Sequence, residues 1–302
     1  MPVCFLTEDQ RNRYARFAGE PSPEQLARYF YLDERDQRIV NRHRGDHSRL
    51  GFATQLCTAR FLGTFLDDLA EVPPGVIAYL ARQLYIDQLS GFLIYRQSET
   101  RWDHAAEIRD HCGFREFSES SVQFRLNRWL YALCWTGIDR PGMIFDRATS
   151  WLIASKVLLP AVTTLERHVA KLRTRVDDRL LAMIGAGLTP EAKQKLESLL
   201  SDSERGHQSL LDKLRKGPFR RSAPELVRAL ERIEEVRNLE IDVALSQRIP
   251  PARLQGLARF ANTAKAANIQ RLPEARRIAT LVAFSAIWKR PRLTMHSICW
   301  IY

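Results

Sequence analysis

Arg35-Asp36-Gln37-Arg38-Ile39-Val40-Asn41-Arg42-His43-Arg44-Gly45-Asp46-His47-Ser48-Arg49 reads as a helix, a glycine turn and the start of a second helix. Asp33 is the natural cap of the first helix, because a short acidic side chain can accept from the open backbone amides two and three residues on. Ile39 and Val40 then face inward, and Arg35, Arg38 and Arg42 face outward. Gly45 punctuates. Asp46 or Ser48 caps the second helix, where Leu50, Ala53, Leu56, Cys57 and Phe61 recur at core spacing until Gly63 stops the run. Five arginines face two aspartates in this stretch, in the layout of a helix-turn-helix reader. Arginine suits that task, since its fork can engage a guanine edge bidentately or clamp a phosphate. The same pattern also fits a helical hairpin with a basic face.

The helical period continues in both directions. Ser22-Pro23-Glu24-Gln25 combines a capping serine, a proline at the first helical position and a glutamine placed to reach back. Pro73-Pro74 precede a helix carrying Ile77, Leu80 and Leu84. A helix opening at Thr100–Asp103 stops at Gly113, and Ser118 to Cys134 holds Val122, Leu126, Trp129, Leu130 and Leu133 on one face. Further helices fit 143–157, 162–184, a start at Thr189-Pro190-Glu191, 222–245, 250–265 and 273–288. No sustained alternation of apolar and polar residues marks a strand. The fold class is therefore all-α: tandem small helical modules of helix-turn-helix type, then a bundle of longer helices. The breaks place modules at 1–72 and 73–157, a helical linker at 158–288 and a tail at 289–302.

Charge sharpens this picture. The 302 residues hold 46 Lys+Arg against 35 Asp+Glu, a net charge of +11, which points to a polyanion or an acidic surface as partner. The excess is uneven. Residues 1–150 carry 19 Arg, no Lys and 20 acidic residues, whereas 151–302 carry 27 Lys+Arg against 15 acidic ones. A binding face in the first half must therefore come from local clustering. Arg96, Arg101, Arg109, Arg115, Arg125 and Arg128 form a second such cluster, beside a Trp102 that can stack on a base or sugar or simply pack. Lys213, Arg215, Lys216, Arg220 and Arg221 bracket Gly217-Pro218 in a loop suited either to phosphate or to solvent.

Enzyme motifs are missing. There is no glycine-rich phosphate loop, nucleophile elbow or His-Glu-x-x-His. His43 and His47 are four apart, but Gly45 intervenes and no third ligand is near, so they read as polar surface. His111-Cys112 reads as a helix end beside Gly113. Asp67-Asp68, Asp177-Asp178 and Glu234-Glu235 read as solvated helix faces. Cysteines at 4, 57, 112, 134 and 299 are scattered, as expected of unpaired thiols in a reducing compartment. The N-terminus has no basic and apolar run of a signal peptide, and no apolar stretch approaches the length of a membrane span. Together these point to a cytoplasmic protein.

Particular blocks are also familiar. Pro21-Ser22-Pro23-Glu24-Gln25-Leu26-Ala27-Arg28-Tyr29-Phe30, then Arg44-Gly45-Asp46-His47-Ser48-Arg49-Leu50-Gly51-Phe52-Ala53-Thr54-Gln55-Leu56-Cys57, resemble the N-terminal region of Tn3-family transposases. Thr100-Arg101 with His104, Gly113-Phe114-Arg115-Glu116-Phe117, Leu158-Leu159-Pro160-Ala161 and Arg276-Arg277-Ile278-Ala279-Thr280-Leu281-Val282-Ala283 extend the resemblance, in order, to about residue 288. It implies N-terminal helical modules that bind double-stranded DNA at the terminal inverted repeats of a transposon, followed by a helical region that links and dimerises. It also implies that the RNase H-like domain, whose acidic triad binds Mg²⁺, lies beyond residue 288 and outside this chain. The expectation is a truncated, DNA-binding chain without strand transfer and without a cofactor of its own, able to form a homodimer or a mixed dimer with an intact transposase. From Trp288 onward the sequence leaves the family pattern. The candidate DNA contacts are Arg42, Arg44, His47, Arg49 and Arg60 in the first module and Arg101, Arg109, Arg115 and Arg125 in the second. The competing reading is a helical protein-interaction module with non-specific affinity for nucleic acid.

Overall fold

A computed structural model describes residues 5–137, 139–203, 206–215, 222–239 and 249–288. Among them are sixteen α-helices and one short antiparallel strand pair, Asp202–Ser203 with Gly206–Ser209. The all-α class follows directly. The expected tail at 289–302 lies outside the described residues.

The chain divides into two compact units. The first runs to Leu130 and adds Pro141–Lys171; the second takes Tyr131–Arg140 and everything from Leu172 onward. In the first unit, α1 (Glu8–Arg13), α2 (Pro23–Tyr29), α3 (Glu34–Val40), α4 (Asp46–Leu62), α5 (Pro74–Leu84), α6 (Gly91–Gln97) and α7 (Thr100–Cys112) precede the larger part of α8 (Ser120–Thr136), α9 (Pro141–Ala154) and the start of α10 (Val162–Ala186).

The start signals act as the sequence suggests. Ser22 and Gln25 exchange the two bonds of a capping box, Gln25 N–H to Ser22 Oγ at 3.3 Å and Ser22 N–H to Gln25 Oε1 at 2.9 Å. Asp33 Oδ1 accepts from the amides of Arg35 and Asp36, both at 2.8 Å. Those bonds, led by the Asp36 amide, hold the Asp33 carboxyl below its ordinary value. At α4 the cap differs from expectation. Gly45 occupies it with φ +83°, a left-handed conformation that glycine alone adopts cheaply, and no side chain bonds the first amides.

α4 is the axis of this unit. Every residue from Leu50 to Ala59 is buried, and α2, α3, α5, α6 and α7 pack around it. Leu50, Phe52 and Leu56 are essentially inaccessible, each worth roughly 2 kcal/mol of burial. Small residues let the neighbours come close. A Cβ at Gly51 would stand 2.2 Å from the Tyr95 ring, so α6 can lie against α4 only because that side chain is absent.

The core of the first unit draws Phe30, Val40 and Leu56 together with Leu80, Phe92, Tyr95 and Ile108. It thus crosses the Val72-Pro73-Pro74 break, where the sequence suggested a boundary between modules. The boundary suggested at 157 also falls inside this unit. There Leu159 N–H bonds Gly63 O at 2.9 Å, and Val157 bridges to Arg115. Backbone pairing to earlier helices is what overrides the local Pro and Gly punctuation. Buried Glu166 of α10 ties down the N-terminal segment, accepting from the amides of Phe5 (2.8 Å) and Leu6 (3.1 Å) and from Arg11 (2.8 Å).

The second unit contains α11 (Pro190–Ser198), α12 (Leu210–Arg215), α13 (Ala223–Arg237), α14 (Pro251–Thr263), α15 (Ala266–Gln270) and α16 (Glu274–Trp288). Its core centres on the run Ile278–Phe284 of α16, against Leu196, Leu254 and Ala258. Arg253 braces it, donating to Cys134 O at 2.6 Å and pairing with Asp177 at 2.8 Å. No described helix is long and apolar enough to cross a membrane.

Candidate nucleic-acid interface

Two pairs of charged residues around the α3–α4 turn meet different fates. Arg42 and Arg44 are exposed and form no ion pair with any described residue. The turn that carries them is rigid. The amides of Arg42 and His43 bond back to Ile39 and Val40 at 3.1 and 3.2 Å, and Gly45 reverses the chain. His47 is exposed in the first turn of α4, with its ring folded over Gly45 and its Cβ against Gly91. Arg35 and Arg38 are also exposed, and Arg38 donates its Nε to Glu34 O at 3.1 Å. This is a cationic ridge at the end of a helix whose amides have no side-chain cap.

Arg49 is half-committed. It pairs with Asp46 at 2.7 Å and reaches Asn41 at 3.4 Å. Arg60 is fully committed: its two terminal nitrogens grip both oxygens of Asp36, at 2.8 and 3.0 Å, and Asp36 is only 3 % exposed. Burial works against the Arg60 charge, but the bonds and field of Asp36 outweigh it and hold its proton more firmly than usual. Arg60 therefore fastens α3 to α4 instead of facing a ligand. The signal for this was in the sequence. Asp36 stands three and four residues before Ile39 and Val40, on the apolar face of α3, where a carboxylate needs a partner.

The helix-turn-helix layout is present in chain order, but α4 has no free groove-reading face beyond its first turn. A helix buried on all sides for ten residues cannot lie along a major groove. What it can present is its first turn and the turn before it.

Five of the six arginines of the second cluster are engaged by neighbours, Arg96 by Asp68 at 3.1 Å among them, whereas Arg128 is exposed and pairs with no described residue. Arg101 lies over the Trp102 ring at 4.6 Å and donates to the carbonyls of Asp67 (3.1 Å) and Arg96 (3.4 Å). Arg109 pairs with Glu116 at 3.1 Å, and Arg115 with Glu119 at 2.7 Å. Arg125 is exposed over the Trp151 ring at 5.7 Å. Trp102 itself is 58 % exposed, so it is not core. In the second unit, Arg215 is tucked against Asp212 at 3.7 Å and Ala264 O, while Lys216, Arg220 and Arg221 lie outside the described residues. No cluster of metal-ligating side chains occurs among the described residues.

Sequence reasoning missed a polar network behind the turn. His43, read as surface, has its side chain only 14 % exposed and stacks between Phe52 (4.3 Å) and His104 (4.2 Å). Tyr95 Oη lies 2.7 Å from His104 Nδ1 and receives Gln55 Nε2 at 2.6 Å. The spacing of His104 and Ile108 on α7, four residues apart, was the available hint that His104 faces the core.

Known proteins place this arrangement in a family. The family described as a domain of unknown function, DUF4158, matches residues 5–172. The chain is 43 % identical over 285 residues to the transposase for transposon gamma-delta of Escherichia coli K12, covering 94 % of this chain and 28 % of that one. It is 29 % identical over 259 residues to the transposase for Tn1546 of Enterococcus faecium, and 28 % over 262 to that for Tn501 of Pseudomonas aeruginosa; these cover 85 % and 87 % of this chain and 26 % of each transposase. The chain thus spans about a quarter of the length of these relatives. It belongs to the DUF4158 family and is homologous to Tn3-family transposases.

Proposed function

We propose that this chain is a DNA-recognition region of a Tn3-like transposase and binds the terminal inverted repeats of a transposon. The observation that carries the reading is the ridge at the α3–α4 turn. Arg42 and Arg44 stand there exposed, without carboxylate partners, on a backbone fixed by Gly45, with His47 beside them. Cations already paired gain little from a phosphate, because the existing pair must first be broken. Unpaired ones gain the full charge-assisted bond and release condensed counterions from the duplex. The uncapped amides of α4 favour a phosphate at the same place.

Strand cleavage and transfer belong, in this reading, to a part of the transposase outside this chain, with its Mg²⁺. No residue described here takes part in a reaction step. A second reading concerns the second unit. Val227 and Leu230 of α13 are 53 % and 51 % exposed, which favours a protein partner there, either a second copy or an intact transposase.

The test is a titration of duplexes carrying the inverted repeat against random duplexes of equal length. Preference for the repeat by about 10³-fold or more supports the reading. Equal affinity reduces it to non-specific association, and no binding at moderate salt favours the protein-partner alternative.

A further inference from the structure

The network behind the basic turn has a fixed direction. Gln55 Nε2 donates both to Tyr95 Oη and to the carbonyl of Arg101, at 2.6 and 3.1 Å. A carbonyl can only accept, so the atom facing Arg101 must be the amide nitrogen, and Tyr95 Oη must be an acceptor from it. The one Tyr95 hydroxyl proton then goes to His104 Nδ1, 2.7 Å away. His104 is thereby fixed as the neutral ring with its proton on Nε2. A proton arriving at Nδ1 would set two donors against each other inside the core.

His43 multiplies this constraint. It belongs to the turn that carries Arg42 and Arg44, and its ring lies 4.2 Å from that of His104, so the two imidazoles cannot both be charged without strong repulsion. Its Nε2 is buried, has no hydrogen-bond partner, and faces Glu107 at 3.5 Å. Four helices or turns meet here. α4 supplies Phe52 and Gln55, α6 supplies Tyr95, α7 supplies His104 and Glu107, and the turn supplies His43. The charged or titratable groups acting on the pair are Glu107 and Asp103 from α7, Arg42 from the turn, Arg101 through Tyr95, and Tyr95 itself.

We propose that His43 and His104 form an acid-sensitive latch that holds the basic turn at 41–45 against α7, and that protonation opens the latch and lowers affinity for duplex DNA. The last step rests on the function proposed above; the latch itself does not. Burial, with His43 adding to it, pushes the His104 imidazole down to about 4, and burial likewise lowers His43 despite Glu107. Both shifts act in one direction. The neutral pair is at full strength above the ordinary histidine value, and the latch weakens as pH falls from there towards the depressed folded value.

The experiment uses the full chain from about pH 7 to about pH 4.5. Imidazole NMR of the wild type should find His104 neutral, with its proton on Nε2, below the ordinary histidine value. Tyr95→Phe should raise its titration. His104→Gln keeps an acceptor for the Tyr95 hydroxyl and removes the titrating ring. The affinity of the wild type for repeat duplex, divided by that of His104→Gln at each pH, should fall by about tenfold across the range, one pKa unit corresponding to tenfold. A constant ratio, or a His104 charged or carrying its proton on Nδ1 near neutral pH, overturns the latch. If neither protein binds duplex at neutral pH, the proposed function has failed, and amide exchange decides the latch. Faster exchange of α7 in acid for the wild type but not for His104→Gln supports it, and equal exchange overturns it.

Discussion

The turn at 41–47 carries two arginines and the segment from 101 to 125 carries four, and the structure treats the two sets differently. In the second segment a carboxylate, an aromatic ring or a carbonyl lies within reach of each candidate: Glu116 for Arg109, Glu119 for Arg115, Trp102 and two carbonyls for Arg101, Trp151 for Arg125. In the turn, Arg42 and Arg44 have only the chain reversal at Gly45 between them and the start of α4. Arginine count is therefore a poor guide to a polyanion surface. What matters is whether an acidic residue sits one helical turn away or across a packed interface.

The sharpest way to break the comparison is Arg60→Ala. If Arg60 is a clasp, the change leaves the buried Asp36 carboxylate without a cation, with only the Asp33 amide as a partner, at a cost of about 3 kcal/mol. A thermal melt of the full chain should then show a drop of roughly 6–12 °C. Repeat-duplex affinity of the folded protein should hardly move. Lost affinity with an unchanged melt would return Arg60 to the interface. Gly51→Ala should cost somewhat less, about 2 kcal/mol, because the new methyl must displace the Tyr95 ring. The same melt checks it, and no change would mean that α6 is less closely seated than described. Arg44→Glu should weaken duplex binding by about 2 kcal/mol, close to thirtyfold, with the melt unaltered. Titration against repeat duplex reads this directly. Smallest of all should be Arg115→Ala, which breaks a half-exposed pair with Glu119 and an exposed bond to Ser121; both stability and duplex affinity should change by less than about 0.5 kcal/mol. A large affinity loss there would erase the contrast between the two segments.

Much of this was legible in the sequence. The capping box at Ser22, the cap at Asp33, the helix stop at Gly113 and the apolar period of α4 all rest on local chemistry, and the helices appear where that chemistry puts them. The sequence missed what depends on distant packing. Pro73-Pro74 looked like a domain edge, yet Leu80, Phe92 and Ile108 close the same core as Phe30. His43 looked like surface because its neighbours are arginines, and only the approach of α7 buries it. Among the candidate contacts, Arg42, Arg44 and His47 stand exposed at the turn, whereas Arg60 was read by its charge alone, without the buried Asp36 opposite it.

The most direct measurement is the salt dependence of binding to a repeat duplex, for the wild type and for Arg42→Ala/Arg44→Ala, between about 50 and 200 mM salt. With both guanidinium groups on phosphates, the slope of log affinity against log salt should become shallower by about 1.8 in the double variant, 0.9 per lost contact. An unchanged slope, with the folded protein binding as tightly as before, would contradict the assignment of the α3–α4 turn as the surface that grips DNA.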